Sequence, residues 1–381
     1  MEETPFDFYV TAHPDFGNSV RNGSFWSYYD FGTNETLDIL SHHLNSTHAG
    51  FGFLQDKTLS LLEVVQSACE HIKKKQTGQT PRGLANFGNT CYMNSVLQIL
   101  FHDMWLRKRL QEKGGDPVGQ LFELMEDRGS GTRVEHAPIE NMHGEFHTDL
   151  QDQFPLRGGQ QDAQEFLSSF LDHLGAADDA LRVAYTFETR TRLTCLPAKH
   201  TRFTAPVRNT ILLLAISDLH CGKQECTLLC SIYRYILPEL ACGSENVNCV
   251  DCKNAKKPTV QQIQFRSWPS RLVIQLKRFK YESGRAERID KPIQIPLSIE
   301  SNELPTIEGT STVPQFAYKL LGTAVHSGNT PHSGHYRAYV RGPANAWFLC
   351  DDSRVTPVQG GAEAVPGLIA SEAYLLVYAK E

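Results

Sequence analysis

Apolar positions recur at two different intervals in this chain, and the change between them divides it. Met93, Val96, Leu97, Leu100 and Phe101 are spaced by three and four, which predicts an amphipathic helix running to His102. Ala163, Phe166, Leu167, Phe170, Leu171 and Leu174 predict a second over Gln161–Leu174, with Gln160, Asp162 and Glu165 at its N-terminal turn on the opposite side. Further helices are expected over Leu59–Ile72 and Val118–Met125. The stretch 127–158, dense in Gly, His, Pro and Asp, reads as loop. From Tyr185 the interval falls toward two. Strands are predicted at Thr186–Thr194, Asn209–Ser217, Gln261–Phe265, Leu272–Phe279, Phe316–Val325, His335–Val340, Trp347–Leu349 and Ala373–Tyr378. Helices first and strands later argue for an α+β fold.

Residues 1–80 stand apart. Their first 50 residues show little period, and ten carboxylates there and in the rest of the segment face five basic residues, so most of the net charge of −6 lies in it. Lys73–Lys75 followed by Gln-Thr-Gly-Gln-Thr-Pro reads as a helix end and linker, placing a boundary near residue 80. A mildly acidic chain is a poor partner for nucleic acid. No apolar run approaches the roughly 18–20 residues of a membrane span, and the N-terminus lacks the pattern of a signal peptide. Ten cysteines without a small-scaffold spacing suit a reducing compartment, cytoplasmic or nuclear. The sequons at Asn22, Asn34 and Asn45 are read as chance matches.

The chemistry gathers at three places. Cys91 opens the first helix after a loop containing Gly83, Asn86 and Gly88, with Asn89 or Thr90 as the cap. Free N–H groups and the positive end of the helix dipole favour a thiolate there. The alternative is a buried core cysteine. A nucleophilic thiol needs a base, and Ser327–Val340 offers His335 after Gly334 at the start of a strand, with His326 and His332 read as solvated loop histidines. It also needs an orienting group, and Asp351 or Asp352 ends the strand Trp347–Leu349, where a carboxylate can accept from imidazole Nδ1–H. Asn86 and the Cys91 N–H are candidate donors to an oxyanion.

These segments resemble the ubiquitin-specific proteases, papain-like cysteine proteases that remove ubiquitin from proteins. GLANFGNTCYMNSVLQILFH resembles their cysteine box, GQQDAQEFLSSFLDHL the block after it, RLVIQLKRFKY their LKRF strand, and YKLLGTAVHSGNTPHSGHYRAYV with WFLCDDSRVTPV their histidine box and its acidic end. The resemblance implies Cys91 as nucleophile, His335 as base, Asp351 as orienter with Asp352 its stand-in, and Asn86 as oxyanion donor. It implies a hand-shaped catalytic domain over 81–381, with a thumb at about 81–182, fingers at about 183–265 and a palm at about 266–381.

It further implies ubiquitin and ubiquitinated proteins as partners. The basic ubiquitin tail would meet carboxylates such as Asp162 and Glu165, beside Gln160. Catalysis would need no cofactor. Relatives often bind structural zinc in the fingers, and here Cys195, His200, Cys249 and Cys252 could hold it, with Cys242 a substitute and Cys221, Cys226 and Cys230 nearby. The alternatives are a protease for another ubiquitin-like modifier and a ubiquitin-binding scaffold weak in catalysis. Leu156-Arg157-Gly158-Gly159 resembles the ubiquitin tail itself, a short match that carries little information.

Overall fold

Strand residues 272–276 alternate between two cores. Leu272, Ile274 and Leu276 enter one apolar cluster and Val273 enters the other; Leu272, Val273 and Ile274 do so with their cross-strand neighbours Tyr378, Val377 and Leu376. A sheet covered on both faces needs such near-continuous apolar strands. In this computed structural model that sheet has eight strands. The ordered path is Arg354–Pro357, Trp347–Asp351, Ser333–Arg341, Ala317–Thr330, Ala373–Lys380, Arg271–Lys277, Ile211–Ala215, with Ser298–Glu300 paired to Ala317–Thr330. The structure describes residues 81–126, 133–216, 226–253, 255–282, 285–309, 315–330 and 332–381. The expected helix Leu59–Ile72 lies outside them. Thr80–Glu381 forms one compact unit.

One face of the sheet carries the helical layer: α1 (Cys91–Phe101), α2 (Met104–Lys113), α3 (Pro117–Glu126), α4 (His136–Gly144), α5 (Thr148–Gln153), α6 (Ala163–Ala177) and α7 (Asp179–Ala184). The stretch expected as loop therefore holds α4 and α5. Its composition hides them because each is fixed by a few tertiary anchors, Ile139 and Met142 in α4 and Leu150 in α5, rather than by a long apolar face.

α1 is not amphipathic as expected but buried along its whole length, packed on the strands Ser333–Arg341, Ala317–Thr330 and Trp347–Asp351 and on α6. Each of Val96, Leu97, Ile99 and Leu100 contributes about 1.5–3 kcal/mol by burial. Its polar residues bond inward. Gln98 Nε2 donates to Arg82 O at 2.7 Å, and Asn94 Nδ2 to Ala85 O at 3.2 Å. A buried ion pair ties helices to sheet. Asp103 caps α2 and accepts two hydrogen bonds from Arg271, at 2.9 and 3.0 Å, plus one from the Tyr185 hydroxyl at 3.1 Å.

Beyond the sheet's far end a second sheet forms the fingers. Phe187–Cys195 pairs antiparallel with Thr259–Phe265, flanked by Thr201–Phe203, Val207–Asn209 and Glu239–Ala241. The segment 183–265 does not belong wholly to the fingers, however. The expected strand Asn209–Ser217 breaks at Thr210, and its second part, Ile211–Ala215, joins the large sheet parallel to Arg271–Lys277. Leu212 and Leu214 draw it there by entering the same core as Leu272. Leu272–Phe279 breaks as well, at Arg278. That side chain is buried and donates to the carbonyls of Ala370, Ala373, Ile289 and Lys291 at 2.5–3.1 Å.

Candidate active site

Three chain segments meet at the N-terminal end of α1. The loop 85–90 enters it, with Gly88 in a left-handed conformation (φ 112°) that other residues resist. Thr90 occupies the cap position, but its hydroxyl accepts from Phe87 N–H at 3.1 Å instead of from the helix, so the expected side-chain cap does not form. Asn86 organises the loop. Its Oδ1 accepts from Gly88 N at 2.7 Å and Thr90 N at 3.1 Å.

The second segment is the strand Ser333–Arg341, which starts two residues before His335. The third is Trp347–Asp351, paired to it in the register Ala338 opposite Cys350. The pleat then sets His335 and Asp351 on one face. His335 Nε2 and Asp351 Oδ1 are 2.6 Å apart, and the ring also hydrogen-bonds Cys91. The carboxylate thus engages Nε2 rather than the expected Nδ1, which leaves Nδ1 for the thiol. The bond to Cys91, aided by that to Asp351, outweighs partial burial and raises the imidazole pKa to about 9. Cys91 itself is 3% exposed.

Asp352 lies within 4.8 Å of the imidazole and of Asp351, but its hydrogen bonds go to the loop and helix of the nucleophile. Its carboxylate accepts from Asn86 Nδ2 at 2.6 Å and Asn94 Nδ2 at 2.8 Å. It sits in a tight turn at φ 48°, and its carbonyl accepts from Leu84 N at 2.9 Å. The turn presses so close that a Cβ on Gly83 would lie 2.3 Å from Ser353 backbone.

The residues expected to meet a substrate tail divide. Glu165 is exposed in the first turn of α6. Asp162 is buried rather than on an exposed turn. It caps α6 by accepting from Gln164 N at 2.7 Å and takes the Tyr374 hydroxyl at 2.6 Å, and burial raises its pKa. As an N-cap it must face back into the helix and the sheet beneath. Gln160 is half-buried, its amide 3.4 Å from His326 Nε2. His326 is no solvated loop residue, since Ala317–Thr330 runs on through it as strand. It is 1% exposed between Phe279 and Tyr336, and burial lowers its pKa to about 4. His332 is exposed.

Of the four expected ligands at the fingers, Cys195, Cys249 and Cys252 form one close group, and His200 joins Cys249 and Asp251 in a second. Cys195 and Cys252 sulfurs are 3.9 Å apart, near the roughly 3.8 Å between two thiolates sharing a tetrahedral zinc. Cys249 Sγ completes that group of three sulfurs and lies 3.1 Å from His200 Nε2. The three sulfurs fit zinc in type and spacing, and His200 reaches the group through Cys249 alone. Asp251, 2.7 Å from His200, is a competing oxygen. Cys242 is exposed and outside the metal-like groups among the described residues, and Cys221 lies outside those residues.

A thiol hydrogen-bonded to an imidazole whose other nitrogen meets a carboxylate is the equipment of a cysteine hydrolase. The comparisons specify which kind. The family model described as ubiquitin carboxyl-terminal hydrolase matches residues 82–378. Ubiquitin carboxyl-terminal hydrolase 27 of Mus musculus is 26% identical over 79% of this chain and 78% of its own length. Ubiquitin carboxyl-terminal hydrolase 2 of Rattus norvegicus is 26% identical, and the match spans only 54% of it. A solved SAGA Ubp8/Sgf11/Sus1/Sgf73 DUB module bound to ubiquitin aldehyde shares the fold, with a TM-score of 0.64 and 22% identity over 79% of this chain and 69% of that one. The chain belongs to the ubiquitin carboxyl-terminal hydrolase family.

Several site residues gave no signal in the sequence. Asn94 looks like one polar position on a helix, and Arg278 like one letter of a strand motif. The hint in Asn94 is a short amide one turn after a cysteine on an otherwise apolar helix.

Proposed function

We propose that this protein is a thiol-dependent deubiquitinase that hydrolyses the isopeptide or peptide bond after the C-terminal glycine of ubiquitin. The observation that carries it is the placement of His335 between Cys91 and Asp351. The Cys91 thiolate attacks the glycine carbonyl carbon. The oxyanion so formed takes hydrogen bonds from the Cys91 N–H and from the Asn86 amide hydrogen not used on Asp352. Imidazolium His335 protonates the leaving amine as the C–N bond breaks, leaving a thioester on Cys91. Neutral His335 then takes a proton from water, which attacks the thioester, and the C–S bond breaks to release the carboxylate and restore the thiolate–imidazolium pair.

Asp351 holds the ring through Nε2, and Asp352 holds Asn86. Glu165, with Gln160 beside it, meets the basic ubiquitin tail, while Asp162 acts by fixing the turn that presents them. No cofactor takes part in the reaction. Zinc bound by Cys195, His200, Cys249 and Cys252 would tie the Phe187–Cys195 strand to the 249–252 turn and brace the fingers. A working thiolate and free zinc-type thiols suit a reducing compartment, cytoplasmic or nuclear.

The test is hydrolysis of a ubiquitin C-terminal amide by wild type and Cys91→Ala, beside the same amide of other ubiquitin-like modifiers. Turnover of ubiquitin that disappears with Cys91 supports the assignment. Preferential turnover of another modifier would move the substrate. Binding without turnover in wild type would leave the scaffold reading.

A further inference from the structure

Asn94 lies one turn into α1 and is 2% exposed. Both hydrogens of its amide are committed, one to Ala85 O at 3.2 Å and one to Asp352 Oδ1 at 2.8 Å. Its own Oδ1 is buried without a hydrogen-bond partner, as is Gln98 Oε1 on the same helix, so what sets Asn94 apart is where its two hydrogens go. The two acceptors require this orientation of the amide, so turning it over only worsens the mismatch.

The oxygen next to the one Asn94 holds is where Asn86 donates. Asp352 Oδ2 accepts from Asn86 Nδ2 at 2.6 Å. The carboxylate is thus gripped on one oxygen by the helix that carries Cys91 and grips, with the other, the side chain of the loop before it. Ala85, the second acceptor of Asn94, precedes Asn86 directly. The turn holding Asp352 is itself strained, with φ at 48°, and does not fix the carboxylate alone.

We propose that Asn94 is a positioning residue for the oxyanion site. By fixing Asp352 and Ala85 from the nucleophile's own helix, it sets where the remaining Asn86 N–H points relative to Cys91. The proposal rests on the assignment of Asn86 as oxyanion donor. It predicts a specific pattern, because the link runs through Asn86 and leaves thiolate formation alone.

The experiment compares wild type, Asn94→Leu, Asn86→Ala and the double variant in the full chain. The readouts are kcat and KM for a ubiquitin C-terminal amide, affinity for ubiquitin aldehyde, and the rate of Cys91 alkylation by iodoacetamide across pH. Loss of one oxyanion donor costs about 10²–10³-fold in kcat, and Asn94→Leu is expected to lose about 10–100-fold as a misaimed donor. KM and the alkylation profile should stay at wild type, while ubiquitin aldehyde binds more weakly. In the Asn86→Ala background, Asn94→Leu should cost less than about threefold more, since residues in one network are not additive. Additive losses, or an alkylation rate that falls in step with kcat, would overturn the proposal. A wild-type kcat in Asn86→Ala would remove the oxyanion assignment and the proposal with it. Where Asn94→Leu does not fold, Asn94→Ala removes the same two donors without added bulk and is read against the same outcomes.

Discussion

At the scale of single residues, the site is an imidazole held between a thiol and a carboxylate. His335 titrates near 9 because the thiol and Asp351 both favour its charged form. A group raised in this way keeps its proton through neutral pH and loses it above its own pKa. Turnover of an amide should therefore fall as pH rises through about 9, where no imidazolium remains to protonate the amine. An activated ester, whose leaving group needs no proton, should keep its rate further into alkali. Asp351→Asn should lower kcat about 10²–10⁴-fold, the range of a general acid–base contribution, with KM little changed in steady-state assays.

The residue types of the site were legible. Cys91 stood at a helix tip, His335 after Gly334, and acids ended a strand. Their orientations were not. Which nitrogen meets Asp351 depends on how the ring is turned between Cys91 and the carboxylate, and the roles of Asp352 and Asp162 depend on buried contacts with Asn94 and Tyr374, which are 258 and 212 positions away.

Among the elements, the long periodic ones could be read, and the short or wholly buried ones could not. α6 and the strands around Leu272, Ala317 and Ala373 carry enough apolar repeats to declare themselves. α4 and α5 do not. In α1 the apolar spacing alone implies an amphipathic helix, whereas Asn94, Ser95 and Gln98 between those positions are buried and bonded to the chain around them. The same concealment covers the join between helices and sheet. Asp103 and Arg271 are ordinary letters in sequence, yet they form a buried bidentate pair. Asp103→Ala should destabilise by about 3–5 kcal/mol, since it leaves Arg271 buried without its partner. Urea unfolding checks this. A loss below about 1 kcal/mol would mean that water reaches the guanidinium.

For the whole molecule, the division near residue 80 and the two cores of the larger unit matter most. Thr80–Glu381 is one compact unit with its own packed interior. Expressed alone, it should unfold cooperatively and turn over a ubiquitin amide within a few-fold of the full chain. Failure to fold would assign a structural part to the first 80 residues. Among the described residues no helix is long and apolar enough to cross a membrane. In the fingers, the three sulfurs and one imidazole predict about one zinc per chain by elemental analysis. Cys252→Ser should lose that metal while Cys91 still reacts with iodoacetamide.

The central claim is that Cys91 is the atom that meets the ubiquitin C-terminus. It is tested most directly by incubating the protein with ubiquitin bearing a C-terminal electrophile and mapping the product by mass spectrometry. The account predicts a one-to-one adduct on Cys91, absent in Cys91→Ala and slowed in His335→Ala. No adduct in the wild type, or an adduct on any other of the ten cysteines, would contradict it.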